Sequence, residues 1–415
     1  MKKSLLAVAA LSALAGAAQA QSSVTVYGIL DVGYIGGNTS VQNSAGTAGY
    51  NQGTAKSTVS QFGQSAEQTS RLGFKGVEDL GNGTSAFFTA EFYLYPADQT
   101  LSGNTAGGLN NRQTFVGLKK NGIGQAAVGL QYTPIFNAAA ATDVGQLNNI
   151  TGNVIYAGSQ GITSGNAGTN NLGFTNRTAN TLSLQSDKFA GFSASAIYTL
   201  NNKNQTETIS GTPVATTGGN TNASGWGLGL DYTYNKFYIT AAYQALKQLT
   251  SSNDLTAIWA NQQANGATTA PVAPAAGSIT GTASNVQDNQ FYAGATYDFG
   301  ILKAYAQYVS RKATDTLNTN YYGKRSAEQI GVRSYITPAI EAWASAGLGR
   351  YTTFGTTQPT ANFNGWQLGS NYYLSKRTNV YAIYGSTVTS TAATAAGATV
   401  GGSQNNYAIG VRHTF

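Results

Sequence analysis

The feature that most restricts this chain is an alternation of apolar and polar residues with period two. It runs in segments of about ten residues, repeated from end to end. Gln290–Phe299 is the clearest case: Phe291, Ala293, Ala295, Tyr297 and Phe299 share one phase, and Gln290, Tyr292, Gly294, Thr296 and Asp298 the other. Further on, Leu302, Ala304, Ala306 and Tyr308 oppose Lys303, Tyr305, Gln307 and Arg311. Trp226, Leu228, Leu230 and Tyr232 oppose Gly225, Gly227, Gly229 and Asp231, and Phe192, Ala194, Ala196 and Tyr198 oppose Ser193, Ser195 and Thr199. Each segment reads as a strand with one apolar and one polar face.

A soluble β-sandwich also alternates, but two features favour a membrane barrel. The polar phase is built from Gly, Thr, Gln and Tyr rather than Lys and Glu, and only 9% of residues are charged, against about 25% in ordinary soluble domains. The segments also match the roughly 9–11 residues of a tilted membrane crossing, and apolar faces end in aromatics such as Tyr198, Tyr232 and Phe299, as membrane-interface girdles do. Sixteen segments can be centred near Tyr27, Phe74, Thr89, Phe115, Val128, Leu182, Ala196, Leu228, Ala241, Ala295, Ala306, Val332, Ala344, Leu368, Ala382 and Ile409. An even number puts both chain ends on one side, and closure satisfies the backbone polar groups that lipid cannot.

The connections alternate in length. Asp79–Gly83, Asn121–Gly124, Asp187–Ala190, Asn235–Lys236, Gly300, Thr337–Pro338 and Ser375–Arg377 are short, whereas Ile35–Thr69, Thr133–Asn176, Asn201–Asn222 and Lys247–Asp288 read as long polar loops. Short turns at one end and long loops at the other are the arrangement of bacterial outer-membrane barrels. The expected fold is therefore all-β: a 16-stranded antiparallel transmembrane β-barrel with long extracellular loops.

Residues 1–20 read as a signal peptide, and 21–415 as the barrel. Lys2 and Lys3 precede an apolar run from Leu5 to Ala17, and Ala18-Gln19-Ala20 has the small-x-small form of a cleavage site. Removing the two lysines lowers the formal charge of +7 to +5 without leaving any basic run, so no nucleic-acid footprint is expected. With no Cys, and with His413 as the single His, thiolate metal sites, Cys nucleophiles and His-rich centres are excluded. His413 shares the apolar phase of Val411 and Phe415 and reads as an interfacial ring. No catalytic residue, cofactor or metal is expected.

The same phases sort the charged residues. Leu72 and Phe74 face lipid, so Arg71 and Lys75 face the lumen, and Ile330 and Val332 place Arg325 and Arg333 inward. Lys303, Arg311 and Arg412 follow by the same logic, as do Glu91 and Asp298. Arg112 lies on a strand that alternates poorly and is assigned inward as well. A Lys or Arg at the lipid midplane would cost about 2–4 kcal/mol. Asp143 is the single acid of the long loop Thr133–Asn176. Arg71, Lys75 and Arg333 lie nearest the strand centres and are expected at the constriction. One loop acid against several wall bases predicts weak to moderate anion preference.

Several stretches carry a family resemblance. They are Ser23-Val24-Thr25-Val26-Tyr27-Gly28; Ser70 to Gly83, with Arg71-Leu72-Gly73-Phe74-Lys75-Gly76; Arg112 through Val116-Gly117-Leu118; Gln131-Tyr132-Thr133-Pro134; Leu374 to Thr378; and Gly410 to Phe415. In this order the chain resembles the general trimeric porins of Gram-negative outer membranes, most of all the betaproteobacterial branch. The resemblance implies an outer-membrane, water-filled channel for passive diffusion of small hydrophilic solutes and ions, assembled as a homotrimer. It implies that the third long loop, here Thr133–Asn176, folds inward and narrows the pore. It also implies that the terminal Phe415 is read by the barrel-assembly machinery. One departure is Leu130, where this family commonly carries a pore-lining base. A substrate-selective outer-membrane channel for a sugar or small organic acid is the alternative, because Tyr292 and Tyr305 face inward on adjacent strands. An outer-membrane enzyme and an exported soluble adhesin are less well matched.

Overall fold

A computed structural model describes residues 23–43, 53–105, 107–156, 171–210, 215–251, 284–316, 319, 322–353, 360–393 and 399–415. The expected signal peptide lies outside these residues. The strands are β1 (Ser23–Asn43), β2 (Gly53–Gln64), β3 (Arg71–Gly81), β4 (Thr84–Tyr93), β5 (Asn111–Lys120), β6 (Gly124–Tyr132), β7 (Arg177–Ser186), β8 (Phe192–Ser210) and β9 (Ala215–Tyr234). They continue with β10 (Phe237–Ser251), β11 (Ser284–Asp298), β12 (Lys303–Asp315), β13 (Tyr322–Thr337), β14 (Ile340–Thr353), β15 (Thr360–Tyr373), β16 (Thr378–Ala393) and β17 (Thr399–Thr414). One helix, α1 (Pro134–Thr142), follows β6.

All neighbouring strands are antiparallel, and β1 pairs with β17 to close the sheet, from Ile29 opposite Thr414 to Asn43 opposite Val400. The seventeen segments make sixteen staves. β1 pairs with β3 over Ser23–Ile29 and with β2 over Val32–Asn43, so β2 and β3 are two halves of one interrupted stave. All sixteen expected centres fall in strands, and all seven short connections lie where the alternation put them. The long loops need correction. Much of Ile35–Thr69, Asn201–Asn222 and the flanks of Lys247–Asp288 is strand, because β1, β8, β9 and β10 run on in register. Beyond the lipid both faces meet water, so Asn, Thr and Gly fill both phases and the period-two signal vanishes while the backbone ladder persists.

The outer wall is apolar and uncovered in the single chain. Leu228, Leu230, Leu368 and Ile409 are exposed, and Ile330 is 68% exposed. A contiguous apolar surface of this extent is the mark of lipid contact. Aromatics edge it at two levels: Trp226 packs on Tyr243 and Trp366 on Tyr384, with Phe192 stacked on Tyr232 near the short turns.

Two inward excursions fill part of the lumen. Between β2 and β3, Ser65–Ser70 turns into the barrel and is held by buried Asp31. One Asp31 oxygen accepts from the Glu67 and Gln68 amides at 2.8 and 2.7 Å, and the other from the Tyr381 hydroxyl at 2.5 Å. The larger excursion is the third loop, which begins as α1. Thr133 caps the helix by accepting from the Phe136 amide, and Pro134 supplies the first helical φ. The buried side of α1 is Pro134, Ile135, Ala138, Ala139 and Thr142, small enough to lie against β8–β12.

Glutamines and glycines on the inner wall receive this loop. Gln244 accepts from the Ile135 amide, Gln290 from the Thr175 amide and Gln329 from the Val154 amide, and Gln367 donates to the Ile150 and Thr151 carbonyls. Each bond satisfies a loop backbone group that has left water. Gly294, Gly331, Gly347, Gly365 and Gly385 leave the space the loop occupies: a Cβ on Gly385 would lie 1.8 Å from the Thr151 carbonyl oxygen, and one on Gly331 2.6 Å from Val144. At its far end the loop meets the smaller excursion, with the Asn149 amide on the Ala66 carbonyl at 3.0 Å. The described residues of the third loop, 133–156 and 171–176, thus lie against the inner wall.

Two outcomes are expected. Gly28 exchanges two backbone hydrogen bonds with Phe415, each 3.1 Å, and a Cβ there would lie 2.3 Å from the Phe415 ring. Gly28→Val should therefore destabilise closure by about 1–3 kcal/mol, read as a lower thermal midpoint of the refolded barrel; an unchanged midpoint would contradict this closure. Gly385→Val should lift the loop from the wall, so the Val154 amide exchanges at least about tenfold faster by hydrogen-exchange mass spectrometry.

Candidate pore constriction

Three arginines come from alternate strands, Arg71 at the start of β3, Arg112 near the start of β5 and Arg177 at the start of β7; Arg71 is partly exposed, whereas Arg112, expected to line open water, is buried, as is Arg177. Glu91 on β4 stands between the first two. Arg112 donates its Nε to Glu91 Oε1 at 2.7 Å, and Arg71 Nη1 lies 3.9 Å from Oε2. The Tyr27 hydroxyl donates to the same Oε2 at 3.2 Å, and Arg71 Nε donates to the Thr69 carbonyl at 2.9 Å. A bulge between Glu91 and Phe92 turns Arg112 inward, which is why its strand alternates poorly in sequence. Arg177 donates to the Arg112 carbonyl at 3.1 Å and to the Tyr93 hydroxyl.

Aromatic rings hold the guanidinium groups. The Tyr93 ring centroid is 4.7 Å from Arg112 and 5.4 Å from Arg177, and Tyr132 is 5.5 Å from Arg177. Such cation–π contacts stabilise by about 0.5–2 kcal/mol each. Tyr132 also stacks on Phe136 of α1 at 4.0 Å, which ties the arginine cluster to the inserted loop. Arg71 and Arg112 share the Glu91 carboxylate and Arg177 adjoins Arg112, which leaves a local excess of positive charge.

The other inward residues divide into accessible and covered. Lys75 is exposed in the lumen, 5.4 Å from the Tyr27 ring, and Arg71 is partly exposed beside it. Lys303 is partly exposed and lies over Tyr305. Arg412, partly exposed, donates to Asn379 and Gln68, with Nε 3.5 Å from Glu67. Arg333 does not sit at an open constriction: it is buried, pairs with Glu341 at 3.1 Å and donates to the Val144 carbonyl of the loop. Arg325 likewise donates to the Val154 carbonyl, and Arg311 pairs with Asp288.

Asp143 does not face the wall bases as a free loop charge. It is buried, accepting from Leu147 N at 2.7 Å, Asn153 Nδ2 at 2.8 Å and Gln329 Nε2 at 3.2 Å. Burial pushes its carboxyl above the ordinary range, against the hydrogen bonds that favour the charge. Asp298 accepts from the Gly300 amide at a short turn and serves that turn. Glu67, Glu91 and Glu341 are buried and bonded as well. Tyr292 is fully buried, with its hydroxyl on Thr142 and Gln307, so it anchors the loop and presents no ring to a solute.

Arg177 was not among the residues that alternation singled out. Its signal was a base opening the strand after the longest loop. Leu130, by register, lies opposite Thr114, two residues beyond the lipid-phase pair Val116–Val128, so it is not a gap in the lumen wall. His413 is exposed and meets the Thr378 hydroxyl through Nδ1 at 2.9 Å. Among the described residues no group of three or more His, Cys, Asp or Glu is placed to hold a metal ion.

A family model described as Gram-negative porin matches residues 7–392. The outer membrane porin protein 32 of Delftia acidovorans is 33% identical over 211 residues, covering 49% of this chain and 51% of that protein. The major outer membrane protein P.IB of Neisseria gonorrhoeae is 34% identical over 200 residues, 48% of each. The chain thus aligns with about half the length of these relatives. Among solved structures, the anion-selective porin from Comamonas acidovorans superposes with a TM-score of 0.63 at 23% identity, covering 95% of this chain and 100% of that one. The trimer form of OmpT from Vibrio cholerae gives 0.58 at 14%, with 95% and 99% covered. These likenesses in structure concern the fold alone. The family match over nearly the whole sequence and the closed sixteen-stave barrel lead to one conclusion: this chain belongs to the Gram-negative porin family.

Proposed function

We propose that the protein is an outer-membrane channel for passive diffusion of small hydrophilic solutes and ions, with a weak to moderate preference for anions. The observation that carries this is the sorting of charge on the inner wall. Lys75, Arg71, Lys303 and Arg412 reach lumen water, Glu91, Glu67, Glu341 and Asp143 are buried and bonded, and the accessible inward acids Asp231 and Asp298 lie beside the short turns, Asp298 opposite Lys303. Along the wall above those turns a permeating ion therefore meets more cations than acids. A low-dielectric wall focuses that field, so a few charges bias the flux. The porin from Comamonas acidovorans is anion-selective, which points the same way.

The remaining parts follow from this reading. Residues 1–20 direct export and are removed, and the chain from Gln21 forms the barrel. Outer-membrane lipid covers the apolar wall. Phe415, whose backbone pairs with Gly28, is the residue the barrel-assembly machinery reads. Three copies associate, as the trimer form of the Vibrio protein does. The chain performs no catalysis and binds no nucleic acid; family members are channels.

Refolded protein in a planar bilayer is expected to conduct in groups of three equal steps. In a potassium chloride gradient its reversal potential should favour chloride. Neutralising two accessible bases, Arg71→Gln with Lys75→Gln, should lower the chloride-to-potassium permeability ratio about twofold or more. Clear cation preference in the parent protein, or no change in the double variant, would contradict the basic-wall mechanism.

A further inference from the structure

Six arginines with inward-facing roles were described above besides Arg177, and five of them have an acid. Arg71 and Arg112 have Glu91, Arg311 has Asp288, Arg333 has Glu341 and Arg412 has Glu67. Arg325 is the exception: among the described residues no carboxylate forms an ion pair with it. It is 4% exposed. Its Nε donates to the Tyr351 hydroxyl at 3.2 Å and its Nη2 to the Val154 carbonyl, while its Nη1 is buried without a partner. The Phe363 and Tyr351 rings lie 4.9 and 5.6 Å from the guanidinium carbon. Directly across the strand pair is a second guanidinium, Arg311, already neutralised by Asp288 at 2.6 Å. A buried charge with an unused donor and no counter-ion is costly, and the aromatic faces offset only part of it.

This side chain lines a cavity. A space of about 370 Å³ lies between the loop residues Asn149–Val154 and the inner wall from β13 to β17, reaching Thr39–Val41 of β1. It falls in the range of small-ligand pockets, about 300–1,000 Å³. At its β17 side stands a second unsatisfied group: Asn406 is 1% exposed, and neither its amide oxygen nor its amide nitrogen has a partner. Between the two ends the lining carries the hydroxyls of Thr387 and Thr389. The ends are four strands apart, under about 19 Å along the wall at the usual strand spacing, before the side chains reach in.

We propose that this cavity is a binding site for a sugar acid, a uronic acid or short oligouronide, on the long-loop side of the constriction. It is distinct from the Arg71–Arg112–Arg177 cluster. Neither the Arg325 Nη1 nor the Asn406 amide has open surface in the unliganded cavity; on binding, the guanidinium turns so that Nη1 donates to the carboxylate, with the Phe363 and Tyr351 rings flanking it. The Asn406 carboxamide, whose nitrogen donates and whose oxygen accepts, turns likewise to a hydroxyl pair at the other end. An acid without hydroxyls would leave Asn406 unsatisfied, and a neutral sugar would leave Arg325 uncompensated, so the chemistry requires both features in one molecule. The site rests on the channel reading, since it would load an anion into the vestibule ahead of the basic wall.

The test uses the full mature chain with three probes: digalacturonate, maltose as the neutral sugar of like size, and acetate as the bare carboxylate. Binding is read by equilibrium dialysis of detergent-solubilised protein, and block by current interruption in planar bilayers with probe added from each side. Digalacturonate should bind at least about tenfold tighter than either control, and should block from the long-loop side. Arg325→Gln should weaken it about tenfold or more. Asn406→Ala should weaken it at least about threefold while leaving acetate unchanged, which keeps the test open should loss of the Arg325–Val154 contact disturb the loop. Equal affinity for digalacturonate and maltose, or unchanged affinity in both variants, would overturn the site with the conducting channel intact. Selective binding without conductance would uphold the site and overturn the channel reading.

Discussion

Everything in this molecule depends on closure of the backbone hydrogen-bond ladder. In hydrocarbon an unpaired amide or carbonyl has no water to turn to, so a sheet that faces lipid must have no edge. The pairing of β1 with β17 removes both edges at once. Once the ladder is closed, each side chain must point to lipid or to the lumen, and the period of two decides which. The apolar outer wall, the aromatic levels and the polar lumen are consequences of that single constraint.

Closure also creates an interior that side chains of sixteen staves do not fill. The third loop occupies it, and the terms on which it does so are set by the wall. Backbone groups of the loop have left bulk water, and Gln244, Gln290, Gln329 and Gln367 supply their hydrogen bonds. Glycines on neighbouring strands let the loop backbone approach closely. Arg325 and Arg333, which in sequence look like pore charges, donate to loop carbonyls instead. The polar phase of a barrel strand thus has two uses, lining water and holding the inserted loop, and one residue type can serve either.

This double use explains where sequence reasoning about the site reaches its limit. Phase alone identifies Arg71, Lys75, Lys303, Arg325, Arg333, Arg412 and Glu91 as inward, because phase follows from the pleat. It does not separate Lys75, exposed to lumen water, from Arg333, buried beneath Val144, since that depends on which staves the loop crosses. Asp143 illustrates the same point. It is the one acid of its loop, yet Leu147, Asn153 and Gln329 enclose it, and no local pattern announces that cage. Arg112 is ambiguous in sequence because a bulge interrupts its alternation, and Arg177 has no phase to read because it begins a strand at the end of a long loop. Strands extending beyond the lipid were missed for a related reason: with water on both faces they lose the alternation.

By itself the sequence determined the closed sixteen-stave barrel, its lipid face, the positions of the short turns and the inward set of charges. Each follows from a local rule of period, turn chemistry or the cost of charge in hydrocarbon, and local rules are readable along one chain. Only the tertiary structure decided which inward charges meet water, which hold the third loop, and which, like Arg325, have no carboxylate counter-ion among the described residues. Those outcomes depend on contacts between residues more than a hundred positions apart, such as Arg325 with Val154 and Asn148 with Gln367. No spacing along the chain encodes such contacts.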